Sequence, residues 1–551
     1  MQKKYFPYFT FLLISLFYFP VQAQYFSRQD SLRGTITPER AWWNVTHYLI
    51  DFAPDYEKRT LTGKMTLSFK VLQENRIMQI DLQQPMQIDK VSWKGQSISF
   101  QRDGNVYLID FKQNIKPSKE VEQIEISYSG KPRVAVRPPW DGGWIWTRDV
   151  KGNPWMSVAC QGLGASVWYP CKDHQSDEPD SAAMRITVPK ALVAIANGRL
   201  REIKDNQNGT HTFTWAVTKP INSYNLVPYI GKYAHWTEVY EGEKGRLDCS
   251  YWVLEHNLEK AKAHFKVVPH MMQCFEHWFG AYPFYEDSYK LVESPHLGME
   301  HQSAVAYGNE YDMGYKGSDL SGTGWGLKWD FIIIHETGHE WFGNNISTND
   351  IADMWVHEGF TAYSETIFTQ CIFGLEAGND YLIGTRRLVQ NDSPVIGTYG
   401  VNKRGSGDMY YKGSNMLHTI RQIINDDEKF RKILRGLNQN FYHQTVNTKQ
   451  IENYISEQAG RDFSKVFDQY LRTTQVPILE YKIKNNEIKY RWTACVKDFD
   501  MPIKAKIKGK EYWLNPTEQW QTLIWKEKIN KGENLTLEFD RNFYVKFRNT
   551  N

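Results

Sequence analysis

The chain has 551 residues, of which 41% are hydrophobic, 23% charged and 15% aromatic, and its formal net charge is +3. At about 100–200 residues per domain, this length predicts roughly three domains with at least one large buried core. The nearly balanced charge, without a long basic run, argues against nucleic acid as the main partner. The aromatic content excludes an intrinsically disordered chain, and six Cys in this length exclude a small disulfide-rich scaffold.

Residues 1–23 have the pattern of a secretory signal peptide. Lys3 and Lys4 precede an uncharged, mostly apolar stretch at residues 5–19, and residues 21–23 offer small side chains at the cleavage positions. The apolar stretch is short for a spanning helix, which needs about 20 residues, although an uncleaved anchor is the alternative. We expect an exported protein of a bacterial envelope, periplasmic or secreted, with no stable membrane span after signal cleavage. The six cysteines imply no particular disulfide pairing.

Hydrophobic periodicity divides the rest of the chain into three parts. Residues 24–243 alternate apolar and polar side chains as half-buried strands do. Residues 244–475 have a helical period. Residues 476–551 return to alternation around the turn at residues 485–486, which predicts a hairpin in a small β-sandwich-like domain. We therefore predict a multidomain α+β fold of a β domain, a mostly helical domain and a second β domain.

Within the central part the pattern predicts helices at residues 256–279, 330–342, 448–459 and 462–471. Gly280 and Gly460 follow two of these segments, where a helix C-terminus favours glycine. Pro477 closes the helical part, because proline does not continue a helix.

His335, Glu336 and His339 form an H-E-x-x-H motif within the predicted helix 330–342. The four-residue spacing places both imidazoles on one helix face, within reach of a single metal ion. Glu336 beside them can act on a water bound to that ion, as in zinc peptidases. The apolar residues 332–334 would bury the helix in a core and make the site rigid. The alternative is a pair of core or surface histidines.

Glu358 supplies a third candidate ligand, 19 positions after His339. This gap allows the first helix to end and a second helix to face it. Two neutral imidazoles and one carboxylate leave a tetrahedral position open for water, as a catalytic zinc site requires, whereas a structural site is closed by four ligands that usually include Cys. Imidazole also favours zinc over calcium or magnesium. The sequence therefore predicts one catalytic Zn²⁺.

These segments resemble the aminopeptidase N family of zinc metallopeptidases, gluzincins that also include the leukotriene hydrolase. In that family the zinc helix ends in W-F-G-N, as residues 341–344 do, and an N-E-G-F segment supplies the third ligand. Residues 357–360 read H-E-G-F, a departure at His357 beside the ligand. The resemblance implies a saddle-like N-terminal β domain, a thermolysin-like catalytic domain and a β domain after it. Many members continue into a C-terminal helical domain, which we expect this chain to lack. The cleft is then either more open or closed by another subunit.

The family also has a G-A-M-E-N segment before the zinc helix, and residues 297–301 read L-G-M-E-H. The resemblance implies that Glu300 binds the free α-ammonium of the substrate, with Gly298 and Met299 beside it. A carboxylate facing an ammonium makes a charge-assisted bond, and a fixed distance to the zinc rejects internal peptide bonds. A surface glutamate is the alternative. A second metal at the nearby histidines is not expected, because no carboxylate cluster accompanies them.

Three further residues complete the predicted site. The segment around Gln161 resembles the part of the family's N-terminal domain that reaches the active site, which implies a contact of Gln161 with the substrate amine or first side chain. Residues 410–413 resemble the family's Y-x-K-G, which makes Tyr410 the phenol that donates to the oxyanion and Tyr411 the variable position. Glu365 follows Glu358 by two helical turns and could orient a zinc-bound imidazole, or could simply pack or face solvent.

The predicted activity is hydrolysis of the N-terminal peptide bond of peptides with a free N-terminus. Glu336 serves as general base and Tyr410 stabilises the oxyanion. The alternatives are a thermolysin-like zinc endopeptidase and a non-catalytic peptide-binding module, for which we would expect lost ligands. An epoxide hydrolase activity like that of the leukotriene hydrolase is possible in principle, but no residue calls for it. The preferred N-terminal residue and the oligomeric state are not predicted.

Overall fold

The computed structural model describes residues 26–525 and 535–550. The signal peptide predicted for residues 1–23 therefore lies outside the described residues. Within the described ranges, no helix combines the length and the apolar character needed to cross a membrane.

The N-terminal part is built of strands, as its alternating pattern predicts. Two short helices, α1 Arg28–Gly34 and α2 Pro38–Ala41, come first. The strands are β1 Trp43–Asp55, β2 Thr60–Val71, β3 Asn75–Asp81, β4 Gln87–Trp93, β5 Gln96–Asp103, β6 Val106–Ile115, β7 Glu122–Gly130, β8 Gly143–Arg148, β9 Pro154–Ala159, β10 Ser181–Pro189, β11 Val193–Ile195, β12 Arg199–Asp205, β13 Thr210–Val217 and β14 Tyr229–Gly231. One ten-stranded sheet has the order β12-β13-β10-β1-β2-β7-β4-β5-β6-β3, and a second sheet has the order β11-β14-β9-β8. β1 is antiparallel to β2 and parallel to β10.

A five-stranded sheet, β15-β16-β17-β19-β18, opens the central part. Its strands are β15 Tyr233–Gly242, β16 Gly245–Leu254, β17 Tyr289–Glu293, β18 Gly298–Met299 and β19 Val305–Tyr307. β15 and β16 form an antiparallel hairpin. The predicted boundary between residues 243 and 244 falls in the turn of this hairpin, so β15 shares a sheet with strands from the far side of that boundary.

The helices of the central part are α3 Leu258–His264, α4 Val268–Phe279, α5 Phe331–Gly338, α6 Trp355–Phe373, α7 Leu375–Thr385, α8 Tyr411–Ile424, α9 Asp427–Asn440, α10 Thr448–Ala459 and α11 Ser464–Arg472. Two short parallel strands, β20 Ile346–Thr348 and β21 Gln444–Val446, pair among them. This region confirms the predicted helical domain after the β domain.

Two of the predicted helices are wrong in extent. The segment 256–279 is not one helix, because residues 265–267 form a 3₁₀ turn and Pro269 stands in the first turn of α4. Proline lacks the N–H and clashes with the preceding turn, so the helix restarts there. The segment 330–342 is also shorter than predicted. α5 ends at Gly338, and the next residues form i→i+3 bonds of the tighter 3₁₀ kind, such as Trp341 N to Gly338 O.

The other two predicted helices agree with the structure. α10 has the predicted bounds, because Asn447 and Gln450 form a reciprocal capping box at its start and Gly460 adopts the left-handed conformation at its end. α11 is displaced by one or two residues from the predicted 462–471, which is the usual uncertainty of helix ends.

The C-terminal strands form two small sheets, β26-β23-β22-β28 and β25-β24-β27. They are β22 Ile478–Lys484, β23 Glu487–Thr493, β24 Ile503–Ile507, β25 Lys510–Leu514, β26 Gln521–Ile524, β27 Leu537–Phe539 and β28 Lys546–Asn549. β22 and β23 are the predicted hairpin around residues 485–486. The apolar side chains of these strands belong to the same buried core as the helices, whereas the N-terminal strands have a core of their own.

α6 is the central helix of the catalytic part, since residues 355–369 are all buried. A disulfide between Cys274 and Cys371 joins α4 to the C-terminal end of α6, with 6.1 Å between the Cα atoms, inside the usual range. The sequence did not indicate this pairing. The bond fixes the far end of the helix whose first turns carry Glu358 and Glu365.

Candidate metal centre and substrate cavity

The H-E-x-x-H motif lies on α5, and Asp330 fixes where this helix begins. Its Oδ1 accepts from the backbone N of Ile332 at 2.9 Å and so caps the helix N-terminus. Its Oδ2 accepts from His264 Nε2 and from Tyr307 OH, both at 2.7 Å. One carboxylate thus ties α5 to α3 and to β19, which holds the motif in a fixed position.

The three predicted ligands converge. Glu358 Oε2 lies 3.6 Å from His335 Nε2 and 3.3 Å from His339 Nε2. Ligands bound tetrahedrally at about 2.0–2.1 Å lie about 3.3–3.4 Å apart, so this spacing fits a zinc ion between them. Glu358 Oε2 is buried without a hydrogen bond among the described residues, as a metal ligand would be. The residues therefore fit one Zn²⁺, with the fourth position facing the cavity.

Hydrogen bonds at Nδ1 orient both imidazoles so that their Nε2 atoms face the metal position. His335 Nδ1 lies 2.7 Å from Glu365 Oε1, and His339 Nδ1 lies 3.0 Å from the carbonyl oxygen of Phe342. Because a carboxylate and a carbonyl only accept, each Nδ1 carries the proton and each Nε2 keeps its lone pair for a metal. Tyr381 OH on α7 donates to Glu365 Oε2 at 2.7 Å and holds the carboxylate in place.

Glu336 is buried beside the ligands and against β18. A Cβ at Gly298 would lie 2.7 Å from Ile332 Cγ2 and 2.8 Å from Glu336 Oε1, so a larger residue would require these side chains to shift. Burial raises the pKa of the Glu336 carboxyl to about 7, against the lowering effect of the two imidazoles. A carboxyl with a pKa in this range suits proton transfer near neutral pH.

Glu300 is the second buried carboxylate of the cavity. Its Oε1 accepts hydrogen bonds from the side-chain amide of Gln161 and from Tyr224 OH, the latter at 3.1 Å. Its backbone oxygen accepts from Asn344 Nδ2 at 2.8 Å. Ligand-type atoms of Glu300, Glu336 and His339 all lie within 4.8 Å of one another. A cation bound by Glu300 would therefore lie directly beside the metal position.

Tyr410 stands immediately before α8, with its ring 5.9 Å from the His335 ring at an angle of 25°. Burial and the Glu358 carboxylate raise the pKa of its phenol well above the usual value, and the positive charge of Arg404 acts in the opposite direction. The phenol is therefore protonated and can donate a hydrogen bond. Lys412 of the same segment points away, since its Nζ donates to Thr473 O at 2.8 Å and fixes the start of α8.

A cavity of about 890 Å³ joins these residues. Its walls include nine of the ten predicted site residues: Gln161, Gly298, Met299, Glu300, His335, Glu336, His339, Glu358 and Tyr410. Glu365 lies behind the ligands and reaches the site through His335. Tyr224 and Tyr381 were not predicted, because neither lies in a motif and only the fold brings them to the site.

The fold and this donor set define a zinc metallopeptidase. Residues 44–225 match the domain described as "Peptidase M1 N-terminal domain", and residues 263–470 match the "Peptidase family M1 domain". The chain belongs to peptidase family M1.

Several known proteins are similar to this chain. Leukotriene A-4 hydrolase of Xenopus laevis is 22% identical over 448 residues, which are 76% of this chain and 68% of the relative. Leucyl aminopeptidase of Saccharolobus solfataricus is 20% identical over 466 residues, which are 81% of this chain and 56% of the relative. The chain thus spans about half to two thirds of these curated relatives.

Solved structures share the fold. A crystal structure of an M1 zinc metallopeptidase from Deinococcus radiodurans has a TM-score of 0.67 and 20% identity, covering 80% of this chain and 96% of its own. A mutant of that enzyme was solved with a bound Tyr-Ser-Ala substrate, at the same TM-score and identity, covering 79% of this chain and 95% of its own.

Proposed function

We propose that the protein is a zinc-dependent aminopeptidase that hydrolyses the N-terminal peptide bond of peptides with a free N-terminus. The observation that carries this proposal is the position of Glu300, a buried carboxylate within 4.8 Å of Glu336 and His339 in one cavity. A carboxylate there can bind the α-ammonium of a substrate and place its first peptide bond at the metal. The aminopeptidases among the curated relatives support the same activity.

Five side chains of the site, Glu336, Tyr410, Gln161, Tyr224 and Glu300, have a part in the proposed reaction. A zinc ion held by His335, His339 and Glu358 would lower the pKa of a coordinated water to about 7 and would polarise the scissile carbonyl. Glu336 accepts a proton from the attacking water and passes it to the leaving amine. Tyr410 donates a hydrogen bond to the carbonyl oxygen as negative charge develops. Gln161 and Tyr224 orient the Glu300 carboxylate toward the ammonium.

We further propose that the protein acts outside the cytoplasm, in a bacterial periplasm or after secretion. The signal-peptide pattern of residues 1–23 supports this location. The Cys274–Cys371 disulfide also supports it, because such bonds persist in oxidising compartments and are rare in the cytosol.

The function is tested by Glu300→Gln, which keeps the shape of the side chain and removes its charge. With leucine 7-amido-4-methylcoumarin as substrate, we expect kcat/KM to fall about 10- to 100-fold, the loss of one charged hydrogen bond. Glu120→Gln, an exposed glutamate on the loop before β7, is the matched control and should keep wild-type kinetics. If Glu300→Gln keeps wild-type kcat/KM, Glu300 does not bind the ammonium and the assignment fails.

A further inference from the structure

Apart from Asp141, the charged side chains that line the cavity are divided by position. The acidic side chains Glu300, Glu336 and Glu358 are buried at its floor, where the metal and the ammonium are expected. The basic side chains Arg133, Lys403 and Arg404 line the same cavity nearer to solvent. The proposed reaction uses the acidic floor and leaves these cations without a role.

Arg404 lies on a loop between α7 and α8 whose backbone is fixed. Thr398 N donates to Lys403 O at 3.2 Å, and Gly400 N donates to Asp350 Oδ2 at 2.8 Å. Asn402 Nδ2 donates to Gly162 O at 2.9 Å, next to Gln161. The loop is therefore attached both to the turn that precedes α6 and to the N-terminal domain, which fixes the backbone position of Arg404.

Among the described residues, the Arg404 side chain has no partner, whereas Arg133 and Lys403 each have a contact. Arg133 donates to the backbone oxygen of Asp141 at 3.2 Å, and Lys403 lies over the Phe26 ring at 5.9 Å. Both carboxylate oxygens of Asp141 accept from backbone N–H groups of its own loop. The exposed guanidinium of Arg404 has no hydrogen-bond or ion-pair partner anywhere in residues 26–525 and 535–550. Its positive charge acts to lower the pKa of the Tyr410 phenol, which lines the same cavity.

We infer that Arg404 binds a carboxylate of the substrate and so selects peptides that carry a negative charge close to the scissile bond. A guanidinium pairs with a carboxylate through two parallel hydrogen bonds, which gives orientation as well as affinity. The inference rests on the proposed aminopeptidase function, since Glu300 then holds the ammonium of the same substrate. The carboxylate can come from an acidic N-terminal side chain or from the C-terminus of a dipeptide.

Two matched substrate pairs distinguish these sources. The aminomethylcoumarin amides of glutamate and glutamine differ only in the charge of the first side chain, and Leu-Gly and Leu-glycinamide differ only in the C-terminal charge. For each pair, the ratio of kcat/KM between the charged and the neutral substrate is measured with the zinc-loaded full-length protein. The four substrates together report on the proposed function independently of the ratios, because a wild type that cleaves none of them contradicts the aminopeptidase assignment, whereas unchanged ratios contradict only the role of Arg404.

We expect Arg404→Gln to lower the ratio of one pair about tenfold, which is the value of one charge-assisted bond at an exposed site. Arg404→Lys should lower that ratio less, because lysine keeps the positive charge but cannot form the two parallel hydrogen bonds of a guanidinium. Arg201→Gln, an exposed arginine on β12 away from the cavity, should leave both ratios unchanged. Added salt should lower the affected wild-type ratio by screening. If Arg404→Gln changes neither ratio, or slows charged and neutral substrates equally, the inference is wrong.

Discussion

Glu365 Oε1 on α6 accepts a hydrogen bond from His335 Nδ1 on α5 at 2.7 Å. The bond fixes the proton on Nδ1 and leaves Nε2 facing Glu358, which stands seven residues earlier on α6. One buried helix thus supplies a metal ligand and also the group that orients another ligand. The Cys274–Cys371 disulfide attaches the C-terminal end of this helix to α4, and Tyr381 donates a hydrogen bond to the second oxygen of the Glu365 carboxylate.

Replacing Glu365 should weaken zinc binding without touching a ligand. Glu365→Leu removes the acceptor of the His335 proton, and we expect zinc affinity to fall about 10- to 100-fold, as for other groups that orient a metal-bound imidazole. Glu365→Gln keeps an acceptor oxygen and should lose less. Competition with a chromophoric chelator measures both affinities. Equal zinc affinity in the wild type and Glu365→Leu would show that Glu365 only packs.

Replacing Glu336 should separate chemistry from metal binding. Glu336 is not among the three ligands, so Glu336→Gln should retain one equivalent of zinc while kcat falls about 10²- to 10⁴-fold, the usual value of a general base. Metal analysis and steady-state kinetics on the same preparation decide the point. His339→Ala is the contrasting variant, because it should lose both zinc and activity. Near-wild-type turnover by Glu336→Gln would remove Glu336 from the reaction.

The two neighbouring tyrosines at the start of α8 offer a matched comparison. Tyr410→Phe removes the phenol that can donate to the oxyanion, and we expect kcat to fall about 10²- to 10³-fold with little change in KM. Tyr411→Phe removes a phenol at the next position and should have a far smaller effect on kcat. The reverse order of the two effects would assign the oxyanion donor to Tyr411.

The disulfide between α4 and α6 should contribute to stability. It closes a loop across a sequence separation of 97 residues, so the double variant Cys274→Ser/Cys371→Ser should lose about 2–5 kcal/mol in the free energy of unfolding. Denaturant titration of the oxidised wild type and the variant measures the difference. Cys495→Ser, at a partly buried free cysteine, is the control. An unchanged unfolding midpoint would mean that these cysteines are not bonded in solution.

Local sequence signals predicted the elements that local chemistry determines. α10 was predictable because Asn447, Gln450 and Gly460 cap it at both ends. The prediction of one helix over residues 256–279 was wrong at Pro269. The apolar side chains keep a helical period through this point, but proline cannot continue the preceding helix. The predicted end of the helix 330–342 was also wrong, because the α-helix ends at Gly338 and the following residues continue in tighter 3₁₀-type turns.

The site was predictable where its residues lie in motifs and not where the fold alone recruits them. His335, Glu336 and His339 lie within five residues of one another, and Glu358 follows at a spacing that allows a second helix to pack against the first. Tyr224 comes from the N-terminal domain, 76 residues before Glu300, and its contact depends on how the two domains meet. Tyr381 and Arg404 are likewise brought in by tertiary packing, and no pattern of neighbouring residues marks them.

The most direct test of the proposed aminopeptidase function compares two substrates of the zinc-loaded wild type, leucine 7-amido-4-methylcoumarin and its N-acetylated form. Acetylation removes the ammonium that Glu300 is proposed to bind and leaves the scissile bond unchanged. We predict that kcat/KM is at least about 100-fold higher for the free amine. Equal or faster cleavage of the acetylated substrate would contradict it and would favour an endopeptidase with the same zinc site.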